Sequence, residues 1–533
     1  MTILAPKALT TALAVSLIAL ASAPALAATP DNALVIAQNI DDIVTIDPAT
    51  AYEFSSGEFV TNAYDKLVAY DATDPEKLVG QLAESWTVDV PAKTITFKLR
   101  PGVTFHSGNP LRGADVVGSF KRVLVLNKAP AFILGNLGWT ADNVAQMVTT
   151  EGDSVTVKWT GEFAPSFVLN VLAAGVGAIV DMETVMANEK DGDLGHAWLN
   201  QNSAGTGPFK LVNYRPGEAM VLEANTAYFN GAPAIQRVMI RHVAEAATQR
   251  LLLESGDVDM AKNMSPDQVA GLEGKAGIKV ATYPQTAVHW FSFNQKYEPL
   301  TNPALWEAAR YLVDYKGMAD SFLKGQMQVH QAFWPAGFPG ALNETPFSYD
   351  LEKAKKILAD GGVKTPLKIE LDVINSAPFI DIAASLQQTF APAGINFDIL
   401  PGTGAQVITK YRARTHQGML LYWGPDFMDP HSNAKAFAYN ADNADDKYVS
   451  TTTWRNAWMP PESVNKATLA ALAEQDADKR NAMYVDLQKQ MQEKSPYVIM
   501  FQAVKQVAMA DKVQGFVNGP SAAFVFYRLV EKK

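Results

Sequence analysis

No repeat, low-complexity tract or long flexible linker interrupts this chain of 533 residues, and that unbroken length is its strongest constraint on folding. Single hydrophobic cores stop growing at roughly 250–300 residues, so at least two domains are required. With no tether between them, the domains must be joined by short crossings. Composition narrows the rest. The chain contains no cysteine, which excludes disulfides, thiolate metal sites, iron–sulfur clusters, a cysteine nucleophile and a lipid carried on cysteine. A formal net charge of −10 leaves no basic footprint for nucleic acid or for an anionic membrane.

Residues 1–27 read as a signal peptide. Lys7 precedes an uncharged run rich in Ala, Leu and Val over 8–20, and Ala25 and Ala27 supply the small residues that signal peptidase reads before Ala28. That run falls short of the ~20 apolar residues needed to span a bilayer. The next longest, 167–180, is also short and is broken by Asn170. The expectation is an exported protein. With no cysteine at the cleavage site, it would diffuse freely in the periplasm rather than hang from a lipid.

Local patterns predict mixed α/β structure. Ile95, Phe97 and Leu99 alternate with polar residues over 93–100, as in a half-buried strand, before the turn Arg100-Pro101-Gly102. Val116, Val117, Phe120, Val123 and Leu124 then recur at helical spacing, with Asp115 at the start. Further strands are expected at 154–159, 221–223, 238–240 and 367–373. Further helices are expected at 247–255, stopped by Gly256, at 351–360, capped by Asp350, and at 467–473 and 477–494.

Enzymatic signatures are missing: no Walker-type loop, His-Glu-x-x-His, Gly-x-Ser-x-Gly elbow or dinucleotide fingerprint occurs. Gly205-Thr206-Gly207-Pro208-Phe209 has the glycines of a phosphate loop, but its proline removes a backbone donor, so a tight turn into a strand is the better reading. The seven histidines include no close pair. No cofactor is expected.

A set of ordered phrases carries a resemblance. Leu82-Ala83-Glu84-Ser85-Trp86, residues 96–108, Ala114-Asp115-Val116-Val117, residues 205–209, Leu222-Glu223-Ala224-Asn225, residues 228–233, residues 253–259, Tyr349-Asp350 and residues 423–430 together resemble the family 5 extracellular solute-binding proteins of ABC importers, the dipeptide, oligopeptide and nickel type. One departure is Leu305-Trp306-Glu307-Ala308-Ala309, where the family usually has an Arg-x-Ala helix start. The resemblance implies an α/β, bilobal periplasmic-binding-protein fold, type II, of the large class with an extra subdomain and two hinge crossings. Lobe I would comprise 28–69, an inserted subdomain at 70–200, 201–280 and a C-terminal tail at 504–533. Lobe II would comprise 281–503. The crossings would lie near 282–293 and 498–507.

The resemblance also implies a site. Trp423-Gly424-Pro425-Asp426 is similar to the Trp-x-x-Asp of peptide-binding members, which makes Asp426 the anchor for a ligand's α-ammonium and Trp423 a wall of the cleft. A carboxylate desolvated at closure gains from such a charge-assisted partner. The continuation Asp429-Pro430-His431 is also similar to a phrase of nickel-chelate binders. Arg412 and Arg414 are candidates to grip a ligand carboxylate, with a solvated helix end as the alternative. Tyr52, Phe54, Trp139, Trp290 and Tyr422 offer aromatic surface, with core packing as the alternative for each. The function expected is a monomeric binding protein without enzymatic activity. It would capture a short peptide or peptide-like amino-acid conjugate and deliver it to the permease subunits of an ABC transporter at the inner membrane. A chelated-metal carrier and an opine or sugar-conjugate binder are alternatives, and a secreted hydrolase is a remote one.

Overall fold

The computed structural model describes residue 2 and residues 29–74, 77–446, 451–519, 521 and 523–533. The signal peptide expected at 1–27 lies outside the described residues, residue 2 aside. No helix among the described residues is long and apolar enough to cross a membrane.

Elements with clear periodicity form where the pattern places them. The strand Thr94–Leu99 buries Ile95, Phe97 and Leu99 on one face. It pairs antiparallel with Ala83–Asp89 and Ser154–Lys158 in a four-stranded sheet. The helix Gly113–Leu126 lays Val116, Phe120 and Val123 into the same core, and Asp115 closes its first turn by accepting the Arg112 N–H at 2.9 Å. Gly256, at φ 79°, stops the helix Ala246–Ser255. Asp350 accepts the Lys353 N–H at 2.9 Å and caps Leu351–Asp360, a bond worth about 1 kcal/mol. The helix expected at 467–473 begins a turn earlier, at Glu462, directly after Pro461. The glycine phrase is a turn into the strand Phe209–Arg215. Its loop packs on the neighbouring backbone so closely that a Cβ on Gly205 would stand 2.0 Å from the Ala63 carbonyl oxygen.

A sheet of eleven strands runs through the molecule. Its spine is a pair of long antiparallel strands, Ile278–Phe293 and Tyr497–Ala510. Residues 278–284 pair with 504–510. Beyond them lie Met260–Ala261, Ala33–Gln38, Arg237–His242, Ala219–Ala224 and Phe209–Arg215. Residues 288–292 pair with 497–502 and, on the other side, 288–293 pair with Gly418–Trp423, followed by Leu367–Ile374 and Ile395–Gly402.

Between these stretches the ladder register shifts, from Pro284 to Val288. The backbone groups freed there are met by a side chain. The fully buried Gln502 amide donates to the Gln285 carbonyl at 2.8 Å and the Ala336 carbonyl at 3.2 Å, and accepts the Ala336 N–H at 2.9 Å. Three main cores surround this frame. One draws on residues between Leu34 and Ile240 together with 260 and 507–530. A second lies wholly within 288–501. The third holds residues 49–179 and also takes in Phe427 and Leu472 from far along the chain.

Candidate functional site

The segment 423–432 leaves the strand Gly418–Trp423 and crosses to the first half of the chain. Phe427, 5% exposed, enters the third core and meets Phe167 edge to face at 5.4 Å. The Met428 N–H donates to the Tyr70 hydroxyl at 3.2 Å, and Lys435 donates to Asn136 Oδ1 at 2.7 Å. The segment is held from its own side too. Asp429 caps the helix Pro430–Ala438 by accepting the His431 N–H at 2.9 Å, and takes a two-pronged guanidinium from Arg480 at 2.7 and 2.8 Å. Both members of that ion pair are buried.

Asp426 sits between these fixed points. Its N–H donates to Ser432 Oγ at 2.9 Å, while its carboxylate accepts the Tyr52 hydroxyl at 2.6 Å across 374 residues of sequence. That hydroxyl is the carboxylate's hydrogen-bond partner among the described residues, and no cation touches it. Burial pushes the Asp426 carboxyl up to about 6, against the Tyr52 bond and the more distant charges of Lys435 and Arg455. Burial, and then the Asp426 charge, hold the Tyr52 hydroxyl well above its usual range, so it stays a donor. The arrangement presents an under-compensated anion at a contact between two halves of the molecule, and the chemistry it lacks is a cation that donates hydrogen bonds.

Aromatic rings flank it. Tyr422, 41% exposed, stacks on His289 at 5.8 Å and meets Phe379 at 5.8 Å. Burial lowers His289 to about 4, so the ring is neutral. Trp423 packs edge to face on Phe437 at 6.2 Å, and its buried indole N–H has no hydrogen-bond partner among the described residues. An unmet buried donor costs about 1–3 kcal/mol, which a bound acceptor would recover. Near Tyr52, Phe54 opens onto a cavity of about 420 Å³ whose wall includes Gln38, Asp42, Glu58, Lys262 and Lys505.

The expected site residues divide. Tyr52 and Asp426 touch, Tyr422 and Trp423 end the strand that leads into Asp426, and Phe54 lines the cavity near Tyr52. Arg412 ends the helix Gly404–Arg412 in solvent, with its charge within reach of Tyr52. Arg414, expected as a carboxylate grip, is instead a structural tie. Its side chain is 3% exposed, it lies over the Trp454 ring at 4.4 Å, and it donates to the Asn443 carbonyl at 3.0 Å and Asn443 Oδ1 at 2.9 Å. Trp139 and Trp290, expected as ligand surface, are core residues at 2% and 0% exposure. Trp139 donates to the Lys158 carbonyl at 2.6 Å, and Trp290 packs against Phe437 and Tyr497. Aromatic residue type alone does not separate a wall from a core.

His431 is also interior, 5% exposed against Phe167 with Nδ1 on the Tyr484 hydroxyl at 3.2 Å. Among the described residues no group of three or more His, Asp or Glu side chains forms a metal site. Sequence reasoning missed His289, Phe379, Glu58, Lys262 and Lys505. A usable signal existed for the last: Lys505 is the lone charge in the apolar run of Tyr497–Ala510.

The family model for bacterial extracellular solute-binding proteins, family 5, matches residues 77–445. The probable D,D-dipeptide-binding periplasmic protein DdpA of Escherichia coli (strain K12) is 28% identical over 508 residues, covering 94% of each chain. Two solved structures share the fold. One is the periplasmic binding protein DppA from Helicobacter pylori in complex with peptide STSA, at TM-score 0.78 and 21% identity over 94% of this chain and 98% of that one. The other is a dipeptide-binding protein from Pseudoalteromonas sp. SM9913 in complex with Met-Leu, at TM-score 0.75 and 19% identity over 94% and 100%. With a two-lobed α/β fold of the type II periplasmic-binding class and a family match over most of its length, the chain belongs to the bacterial extracellular solute-binding proteins, family 5.

Proposed function

We propose that this protein is the substrate-binding component of an ABC importer for a short peptide or a peptide-like amino-acid conjugate. It is exported by the signal at 1–27 and works as a freely diffusing periplasmic monomer. The observation that supports this most is the Tyr52–Asp426 contact, in which a residue of the first lobe closes on a half-buried carboxylate of the second that has no cationic partner among the described residues. A ligand's α-ammonium would take that place. It would add a charge-assisted bond to the carboxylate and be shielded from water by the lobes around it.

Closure is assigned to the paired spine strands. Their ladder is interrupted at 285–287, so bending there costs fewer hydrogen bonds than bending elsewhere, and Gln502 holds the freed Gln285 carbonyl meanwhile. Closing would also assemble the surface that docks on the permease subunits, with no covalent chemistry. Asp426 is the ammonium anchor, Tyr52 the cross-lobe reporter of closure, and Tyr422, Trp423 and Phe54 walls of the cleft.

Native mass spectrometry of freshly purified full-length protein tests the reading. The expected result is a co-purified adduct that fragments to amino acids or an amino-acid conjugate. An adduct containing a metal chelate with no amino-acid component, or hydrolysis of added dipeptides at a rate lost on a single substitution, would overturn it.

A further inference from the structure

The cavity beside Phe54 is bounded by the C-terminal end of Ala33–Gln38, the first turn of the helix Phe54–Ala63, the residues after Met260–Ala261, and Lys505 on the spine strand Tyr497–Ala510. Its size, about 420 Å³, lies within the roughly 300–1,000 Å³ typical of small-molecule sites. Its charged wall is unevenly satisfied. Glu58 is held by Lys262 at 2.6 Å, by the Gln38 amide at 3.0 Å and by the Tyr527 hydroxyl. Asp42 accepts the Ser55 N–H at 3.0 Å, and Asp41 faces His242 at 3.3 Å. Lys505 stands apart: among the described residues its ammonium has neither a hydrogen bond nor an ion pair. The Gln38 side-chain oxygen in the same wall is likewise buried without a donor.

We infer that this cavity is a subsite for a carboxylate of the ligand, with Lys505 as its anchor. The inference rests on the importer reading above and deepens it: the ligand carries an acidic group as well as an ammonium. The charges that act on Lys505 are Lys262 and Glu58, which pair with each other, so an anion arriving at its ammonium meets one uncompensated cation, while Asp42, met by the Ser55 N–H, stands elsewhere along the wall. An ammonium arriving beside Lys505 would have to displace Lys262 from Glu58. Burial, followed by the nearby Lys262 charge, lowers Lys505 to about 8, with only Glu58 acting the other way, and a bound carboxylate would raise it again. The Gln38 oxygen would accept an N–H or O–H adjoining the acid. The carboxylate has two possible sources, a peptide C-terminus and an acidic side chain, and both meet the same chemistry.

The test is calorimetric titration of the full chain with Ala-Ala, Ala-Ala amide, Ala-Glu and Ala-Gln. The expected result is that one neutralisation, acid to amide or Glu to Gln, weakens wild-type binding roughly 10- to 100-fold, identifying the source. In Lys505→Gln and Lys505→Met that penalty should vanish. A second readout needs no variant. At pH 8, where Asp426 is already ionised, binding of the acid form should take up more protons than binding of its amide, whose α-amino group contributes equally, seen as a steeper dependence of the heat on buffer ionisation enthalpy. Equal affinities of acid and neutral forms for wild type would overturn the subsite while leaving the importer reading intact. A penalty undiminished in both variants would do the same. Failure of all four peptides to bind would instead remove the short-peptide reading, and this inference with it.

Discussion

Asp426 and Asp429 stand three residues apart on one segment, both largely withdrawn from water, and their surroundings are opposite. Asp429 receives two guanidinium hydrogen bonds and a backbone N–H, all from the second half of the chain. Asp426 receives one neutral hydroxyl, from the first half. The cavity beside Phe54 repeats the contrast with the sign reversed, Lys262 paired with Glu58 and Lys505 unpaired among the described residues. At each place, then, one withdrawn charge is satisfied within the fold and one is left to be satisfied from outside it. A buried ion without its counterpart is costly, so a stable chain keeps such groups where binding restores the balance. The paired member fixes the segment that carries the unpaired one.

The contrast can be broken from either side. The largest effect belongs to the paired acid. Asp429→Asn or Arg480→Met should lower stability by about 3–5 kcal/mol, because each strands a buried partner; chemical denaturation of ligand-free protein reads this directly. Asp426→Asn should keep or raise stability at neutral pH, yet weaken an ammonium-bearing ligand by about 1.5–3 kcal/mol, the worth of a hydrogen bond to a charged group. Calorimetry and denaturation on the same sample separate the two outcomes, and a stability loss in Asp426→Asn equal to that of Asp429→Asn would erase the distinction.

Acid sharpens it further. The Asp426 carboxyl, raised to about 6 from its ordinary 3.8, must be ionised to hold an ammonium. Affinity should therefore be flat above pH 7 and fall as pH drops through 6, by at most about tenfold per unit. Its contribution to stability runs the other way. A carboxyl whose folded value is raised is unfavourable while ionised, above about 6, and that cost is relieved as pH falls from 6 toward 3.8. Titrating affinity and melting temperature over pH 5–8 should show the two trends diverging. The smallest effect is Tyr52→Phe, which removes one neutral donor. It should cost about 0.5–1.5 kcal/mol of ligand affinity if the hydroxyl still bonds Asp426 in the liganded state. Unchanged or tighter binding would mean that the ammonium replaces it.

Much of the scaffold was legible because its elements are half-exposed. Ile95, Phe97 and Leu99 alternate visibly since Lys98 faces water, and Asp350 and Gly256 mark helix ends by chemistry that residue type alone declares. The spine strands were harder. Residues 288–293 are buried on both faces, so no period-two pattern survives there. At the site, Asp426 was readable because a short phrase carries it, whereas Arg414, Trp139 and Trp290 belong to residue types that serve equally well in cores and clefts. Lys505 escaped notice because its meaning lies in what does not surround it, and the surrounding groups come from four separate stretches of chain.

The proposed hold of Asp426 on the ligand's ammonium is tested by a double-difference titration. Affinities of Ala-Ala and N-acetyl-Ala-Ala are measured on wild type and on Asp426→Asn. Acetylation should weaken wild-type binding by about 1.5–3 kcal/mol and cost little in the variant, because the partner is already gone. Equal losses in both proteins would place the ammonium elsewhere and contradict the assignment.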